Sequence, residues 1–272
     1  MANPASTRIA DLKPGDGYVQ SFARGLQVIR SFSASAPRQT LTEVAQRSEL
    51  SRAGARRILL TLESLGYVRS EGKLFSLTPR ILDLGFAYLS SMPIWDLAEP
   101  VMEKLVEQVK ESCSAAVLDD TDIVYVLRVP THKIMSISLG IGSRLPAYCT
   151  SMGRMLLSAL PQAELMDCLE RSERTARTKY TAVDVKEIAA RIAQVRKQGW
   201  SLVNQELEEG LVSMAAPITN RAGQMVAALN ISGQANRTSA KVMQESMLPP
   251  LDRKSTRLNS SHIQKSRMPS SA

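Results

Sequence analysis

Cysteine is scarce in this chain, histidine scarcer, and no apolar run is long enough to span a bilayer. Each shortage excludes something. The three cysteines, Cys113, Cys149 and Cys168, are odd in number and none forms a Cys-x-x-Cys pair, which argues against a disulfide framework and against a thiolate zinc site. Only His132 and His262 are available for metal or acid–base chemistry. No Gly-x-Ser-x-Gly elbow and no phosphate-binding glycine loop occurs, so a hydrolase or nucleotide-dependent enzyme lacks its signature. The acidic run "QELEEG" reads more simply as a solvated turn than as an acid and base pair. The opening "MANPASTRIADLKPGDG" has no apolar core of a signal peptide, so residues 1–17 read as a flexible arm on a soluble, cytoplasmic protein. No metal and no cofactor is expected, and no membrane partner.

What is present is a core and an uneven charge. The 272 residues are 44% hydrophobic, enough for two ordinary domains. Residues 1–80 hold 12 Lys and Arg against 6 Asp and Glu, whereas residues 81–251 hold 17 against 19. A basic end on a near-neutral body suits a domain that docks on phosphates beside one that does something else.

In "YVQSFARGLQVIRSFS" the apolar residues Phe22, Leu26, Val28, Ile29 and Phe32 recur at helical spacing, with Ser21 placed to cap. "TLTEVAQRSEL" starts a second helix at a capping Thr40 or Thr42, with Val44 and Ala45 inward and a break at Ser48-Glu49. A third helix begins at Ser51: Ala55, Ile58, Leu62 and Leu65 share its apolar face, leaving Ala53, Arg56 and Arg57 on the other. "GYVRSEGKLFSLT" then reads as a hairpin turned at Glu71-Gly72, with Arg69 and Lys73 near its tip. Three helices and a hairpin make a winged helix-turn-helix over residues 18–78. Charge opposite a core is ordinarily mere solvation. Here the basic face lies at the start of the helix after a tight turn, a basic hairpin follows, and the whole segment is basic, so groove recognition is the better reading. Such a helix can aim Arg56 and Arg57 at guanine edges or phosphates while Arg52 and Lys73 hold the backbone, and Ser51 and Arg69 are counted among the DNA-binding residues.

"PRILDLGFAYLSSM" from Pro79 gives a linker helix over residues 79–92, and "IWDLAEPVMEKLVEQVKES" opens a second domain, residues 93–251. There the pattern turns to strands. "SAAVLDDTDIVYVLRV" is a hairpin around residues 119–122, "KIMSISLGIGSRLP" extends the sheet, and "GLVSMAAPITNRAGQMVAALNISG" is a pair turned at residues 220–223. "TSMGRMLLSAL" is a helix starting near Thr150, and "AVDVKEIAARIAQVRKQGW" is another ending at Gly199. The class is α+β, in the layout of a small-molecule sensor domain.

The last segment is of another kind. "DRKSTRLNSSH" from Asp252 is what a common short-read sequencing adapter encodes, and "SRMPSSA" matches its continuation. Residues 252–272 therefore read as an adapter-derived tail on a C-terminally truncated effector domain, and His262 goes with it. With six serines and only Leu258, Ile263 and Met268 as large apolar residues, the tail is expected to form no packing face.

Four stretches, "YVQSFARGLQVIRSF", "LSRAGARRILLTLESLGYV", "LPAYCTSMGRMLLSAL" and "GWSLVNQELEEGLVSMAAPI", resemble the IclR family of bacterial transcription regulators, and most its branch that controls protocatechuate, p-hydroxybenzoate and β-ketoadipate catabolism. The resemblance runs from Tyr18 to Leu251. It implies a winged-helix domain that binds operator double-stranded DNA, a linker helix used for dimerisation, a GAF-like effector domain, and homodimers that pair to tetramers on DNA. It also implies a small aromatic or ring-cleavage carboxylate as effector, its carboxylate on the Ser151 and Met152 amides, with Asn204, Glu206, Ser213, Asn230 and Ser232 as the remaining polar wall. Two positions depart from the pattern: Gly54 stands inside the recognition helix, at a cost of roughly 1 kcal/mol relative to Ala, and Glu49 occupies a turn position where glycine is common.

Overall fold

The computed structural model describes residues 17–91, 94–131, 139–220 and 222–264, the side chains of residues 257 and 259–264 excepted. The chain divides into two units, Met1–Ser90 and Ser91–Ala272.

In the first unit, α1 (Gln20–Ser31), β1 (Gln39–Thr40), α2 (Leu41–Arg47) and α3 (Arg52–Ser64) precede the hairpin β2 (Val68–Glu71) and β3 (Leu74–Leu77). Val19, not Ser21, precedes α1 as its cap residue, and no side chain caps it. Its inward stripe begins later than the sequence suggests: Val28 is fully buried with Ile29 and Phe32 packed beside it, while Phe22 and Leu26 face water. Thr40 caps α2 in a reciprocal box, accepting the Glu43 N–H while the Glu43 carboxylate accepts the Thr40 N–H at 2.7 Å. That hydrogen bond from the backbone holds the Glu43 carboxyl below its usual range. Glu49 closes the tight turn at φ 54, the left-handed conformation that a glycine would adopt at less cost.

Ser51 caps α3 by accepting the Gly54 N–H at 3.1 Å. Ala55, Leu59 and Leu62 carry its buried face, and Leu65 is exposed, because the 3.6-residue period has rotated out of the core by the last turn. The hairpin turns at Gly72-Lys73, one residue beyond the expected place, since Glu71 still pairs with Leu74. Gly72 takes φ 64 there, which a two-residue turn needs at its first position. β1 adds to the far edge of β3, giving the order β1-β3-β2. Beyond it, a 3-10 turn at Pro79–Ile81 leads into α4 (Leu82–Ser90), none of whose residues is buried.

The second unit runs α5 (Ile94–Val109), β4 (Ser112–Asp119), β5 (Asp122–Val129), β6 (Arg144–Pro146), α6 (Ser151–Leu157), α7 (Gln162–Arg171), α8 (Val185–Gln198), β7 (Ser201–Asn204), β8 (Leu211–Thr219), β9 (Met225–Gln234), α9 (Ala240–Val242), a π turn at Met243–Met247, and α10 (Leu248–Gln264). The strands form one antiparallel sheet in the order β6-β5-β4-β9-β8-β7. α7 and β7 were not legible as elements. Most of "KIMSISLG" and Arg221 of the β8–β9 turn lie outside the described residues.

Alternate sheet residues Ala116, Tyr125, Ala215 and Ala228 join α6, α7 and α8 in one core. The intervening residues Cys113, Ala115, Leu229 and Ile231 are buried too. Both faces of the sheet are therefore covered, the second by α5 and α10, which pack on each other and on the strands.

α10 corrects the expectation for the chain's end. It continues past Leu251, with Leu251, Ser255 and Leu258 buried and the Ser255 hydroxyl donating to the Pro217 carbonyl. Met247, Leu251, Ser255 and Leu258 fall on one helical stripe. A boundary drawn at residue 252 cuts that stripe in two, and neither half looks like a packing face alone.

Candidate functional site

The first site is the open face of α3. Ser51, Arg52, Arg56 and Arg57 are exposed, as are Arg69 and Lys73 of the hairpin. Among the described residues no carboxylate lies within ion-pair distance of Arg52, Arg56, Arg57 or Lys73. Arg69 differs: it meets the Ser76 hydroxyl at 3.3 Å and Glu71 at 3.5 Å, and Glu71 also pairs with Arg38. The hairpin thus spends part of its charge internally, whereas α3 keeps its own. A Cβ at Gly54 would come within 3.2 Å of the Ser51 Oγ, so the glycine lets the cap sit close against the first turn.

The second site is a cavity in the other unit, about 430 Å³ with its open mouth included. One wall is the start of α6, with Thr150, Ser151 and Met152; the floor is the sheet, with Ser213, Asn230 and Ser232 among its residues. Register explains the floor. Ser213 pairs with Ser232, and Asn230 with Ala215 and Ser114, so these side chains rise from one face. Asn230 is engaged at both ends, its Oδ1 accepting the Ser114 N–H and its Nδ2 donating to the Ser232 Oγ, each at 3.0 Å.

Two of the expected wall residues stand elsewhere. Asn204 pairs with Val212, one residue out of phase with Ser213, and is exposed on the opposite face of an edge strand. Glu206 is buried, but its carboxylate is fully used. Oε1 accepts from Arg154 Nη1 at 2.7 Å and Arg191 Nη1 at 2.8 Å; Oε2 accepts from Arg154 Nη2 at 2.6 Å and the Ala182 N–H at 3.1 Å. Arg154 also donates to the Tyr148 carbonyl at 2.9 Å. The cluster ties α6 to α8 and to the turn after β7, and offers no free oxygen to a ligand.

Six lining residues are absent from the site expected from sequence: Tyr125, Arg128, Leu139, Thr150, Leu207 and Leu211. Tyr125 and Arg128 both line the cavity although they are three apart on β5, where strict alternation puts them on opposite faces. A β-bulge resolves this: Ala115 pairs with Leu127 but Ala116 with Tyr125, so Val126 is extra and the faces shift. No sequence period announces such a bulge. Burial pushes the Tyr125 phenol up to about 12, so it stays an O–H donor.

At the α6 end, Thr150 is spent as the cap. Its Oγ1 accepts the Gly153 N–H at 3.2 Å and donates to the Pro146 carbonyl at 3.0 Å. Gly153 has to be glycine, since a Cβ would sit 2.2 Å from the Ala147 carbonyl oxygen. Ser151, only 1% exposed, has a hydroxyl with no hydrogen-bond partner among the described residues. A buried hydroxyl left unanswered is costly, and one on a cavity wall is placed for a ligand's oxygen.

Comparison with known proteins gives consistent results for both units. Residues 86–257 match the family described as bacterial transcriptional regulator IclR, C-terminal, and residues 21–72 match the IclR helix-turn-helix domain. The chain is 42% identical over 252 residues to the Pca regulon regulatory protein of Pseudomonas putida, covering 92% of this chain and 86% of that one. It is 33% identical over 256 residues to the p-hydroxybenzoate hydroxylase transcriptional activator of Acinetobacter baylyi, covering 92% and 93%. The crystal structure of a transcriptional regulator from Rhodococcus sp. RHA1 superposes with a TM-score of 0.81 at 47% identity, covering 91% of this chain and all of that one.

Proposed function

The chain belongs to the IclR family of bacterial transcriptional regulators, and from that premise we propose that it is a ligand-responsive, DNA-binding regulator of an aromatic-acid catabolic operon, of the protocatechuate, p-hydroxybenzoate and β-ketoadipate group. The observation that carries this is the pairing, among the described residues, of two unsatisfied surfaces on one chain: arginines on α3 with no carboxylate within ion-pair distance, and a cavity whose Ser151 hydroxyl has no partner. The names of the relatives, a Pca regulon regulator and a p-hydroxybenzoate hydroxylase activator, support the pathway.

In this reading α3 enters the major groove, with Arg56 or Arg57 on base edges and Arg52 and Lys73 on phosphates. Ser151, Met152, Ser213, Asn230 and Ser232 surround a small carboxylic acid. The protein works in the cytoplasm as a homodimer that pairs to tetramers on DNA. Exposed Leu82, Leu84 and Phe86 on α4 support the dimer, since a second copy would cover them. The ligand acts by favouring one arrangement of the DNA-binding heads, because one that binds both arrangements equally shifts nothing. No enzymatic step is assigned.

The test is DNA binding to the operator region with and without p-hydroxybenzoate, protocatechuate and β-ketoadipate, followed by fluorescence anisotropy. One of the acids changes the affinity, and alanine at the responsible arginine costs about 1–3 kcal/mol on cognate DNA and much less on random DNA. Affinity indifferent to every acid, or turnover of one of them, would sink the proposal.

A further inference from the structure

The cavity contains one formal charge that no described residue answers. Arg128 lines it, half-buried on β5, and among the described residues no carboxylate lies within ion-pair distance of its guanidinium. The other arginine drawn deep into this unit, Arg154, is held bidentate by Glu206. Partial burial weakens the hydration of a cation without replacing it, so an unpaired arginine on a cavity wall is a position for an anion.

Family resemblance puts the ligand's carboxylate at the other end, on the first amides of α6. The local geometry argues otherwise. α6 is seven residues long, and its Gly153 and Arg154 amides are already bonded to Thr150. What remains there is a fraction of a charge and the neutral Ser151 hydroxyl. Arg128 offers a whole charge on a planar fork that matches the two oxygens of a carboxylate. The bulge that turns Arg128 inward also sets Tyr125, held as a phenol, on the same face.

We propose that Arg128 is the charge partner of the effector, its guanidinium pairing with the carboxylate, while an oxygen at the ligand's other end meets the Ser151 hydroxyl. The inference rests on the reading of this cavity as the effector site. It makes Arg128 the residue that selects an acid over a neutral molecule of the same shape.

The experiment uses the full-length protein and calorimetry with p-hydroxybenzoate and protocatechuate, each measured beside its primary amide. The wild type binds an acid in preference to its amide. In Arg128→Gln the acid binds roughly tenfold or more weakly, and the acid-to-amide ratio falls toward one; Arg128→Lys retains part of the preference. Ser151→Ala weakens acid and amide alike and leaves the ratio at its wild-type value. Because the ratio is internal to each protein, a loss of folded fraction does not imitate it. A wild-type ratio in Arg128→Gln, or a ratio that collapses in Ser151→Ala instead, overturns this inference alone. A wild type that binds none of the acids overturns the effector reading and this inference with it.

Discussion

The two units treat charge in opposite ways. The buried polar residues of the first, Ser31, Gln39 and Ser48, are all uncharged and bond to nearby backbone carbonyls. Its arginines on α3 stay in water, their guanidinium groups without an ion-pair partner among the described residues. The second unit buries charge outright, with the Arg154 and Glu206 side chains 3% and 5% exposed and bonded to each other at both ends. Unpaired charge in the first unit is directed at a molecule outside the chain. Paired charge in the second is directed inward, where it fixes the helix that forms the cavity wall. The difference teaches that an ionisable side chain is informative about function by what it fails to bond, and about architecture by what it bonds completely.

The largest expected effect breaks the buried pair. Glu206→Leu leaves Arg154 buried with its charge unanswered, and removing one partner of such a pair costs about 3–5 kcal/mol. The loss is expected in the melting of the effector unit, with ligand affinity lost as α6 shifts, while the head binds DNA as before. Arg154→Met with Glu206→Leu should recover much of the stability, since a buried pair replaced by apolar side chains is often near neutral. If Glu206→Leu alone melts like the wild type, the cluster is not structural and Glu206 returns as a candidate ligand residue.

Next in size is the end of the chain. Leu258 is 1% exposed on α10, so Leu258→Ala should cost about 2–3 kcal/mol, toward the low end for a buried leucine because a terminal helix can settle into the space. Removal of residues 252–272 should lower the melting temperature of the effector unit by several degrees at least. A truncated protein that melts unchanged would instead show that the tail contributes nothing, whatever its origin.

Alkaline pH should separate the units again. The three free cysteines all lie in the second unit, buried. Burial moves the Cys149 thiol from an ordinary 9.0 to about 11 and raises Cys113 and Cys168 as well. For an acid whose folded value is raised, the stabilising neutral form is fully present below the unfolded value and is lost as pH climbs to the folded one. The effector unit should therefore lose on the order of 2 kcal/mol through Cys149 between about pH 9 and 11, with further losses through the other thiols. Calorimetry across that range checks it: Cys149→Ala should flatten part of the slope. A head whose transition falls in parallel would mean that some other group governs alkaline unfolding.

How much of this could be read in advance depended on whether the signal was local. Helical periodicity and capping residues located α2, α3 and α8, because caps and apolar stripes are written within one turn. Ser51, Arg56 and Arg57 were legible as an exposed basic face for the same reason. The pocket floor at Ser213, Asn230 and Ser232 came from resemblance, and the cross-strand register shows why those three meet. Arg128 was not legible, since its direction depends on where β4 and β5 slip by one residue. Asn204 and Glu206 failed for a related reason: one residue of register, or one ion pair formed across 52 positions of sequence, decides whether a polar side chain faces a ligand. The stripe of α10 was lost by dividing the chain inside it.

The smallest effect tests the uncharged side of the comparison. If the head is held by an apolar core and local caps alone, its stability should respond to one hydroxyl. Thr40→Ala removes the acceptor for the Glu43 N–H and one partner of the Glu43 carboxylate, leaving that carboxylate only the Thr40 N–H. A lost cap of this kind costs about 1 kcal/mol, or about 4–8 °C for a domain of this size. Thr40→Ser should restore it. Glu43 sharpens the assignment: its carboxyl is held low by bonds to Thr40, so the stability it adds is present above the ordinary carboxylate range and lost as pH falls below it. In Thr40→Ala the head should show a smaller loss on acidification, because the hydroxyl's share of that shift has gone. Effector affinity should not move. A Thr40→Ala protein whose DNA-binding unit melts and titrates like the wild type would mean that tertiary packing, rather than the cap, sets where α2 begins and how α3 is presented.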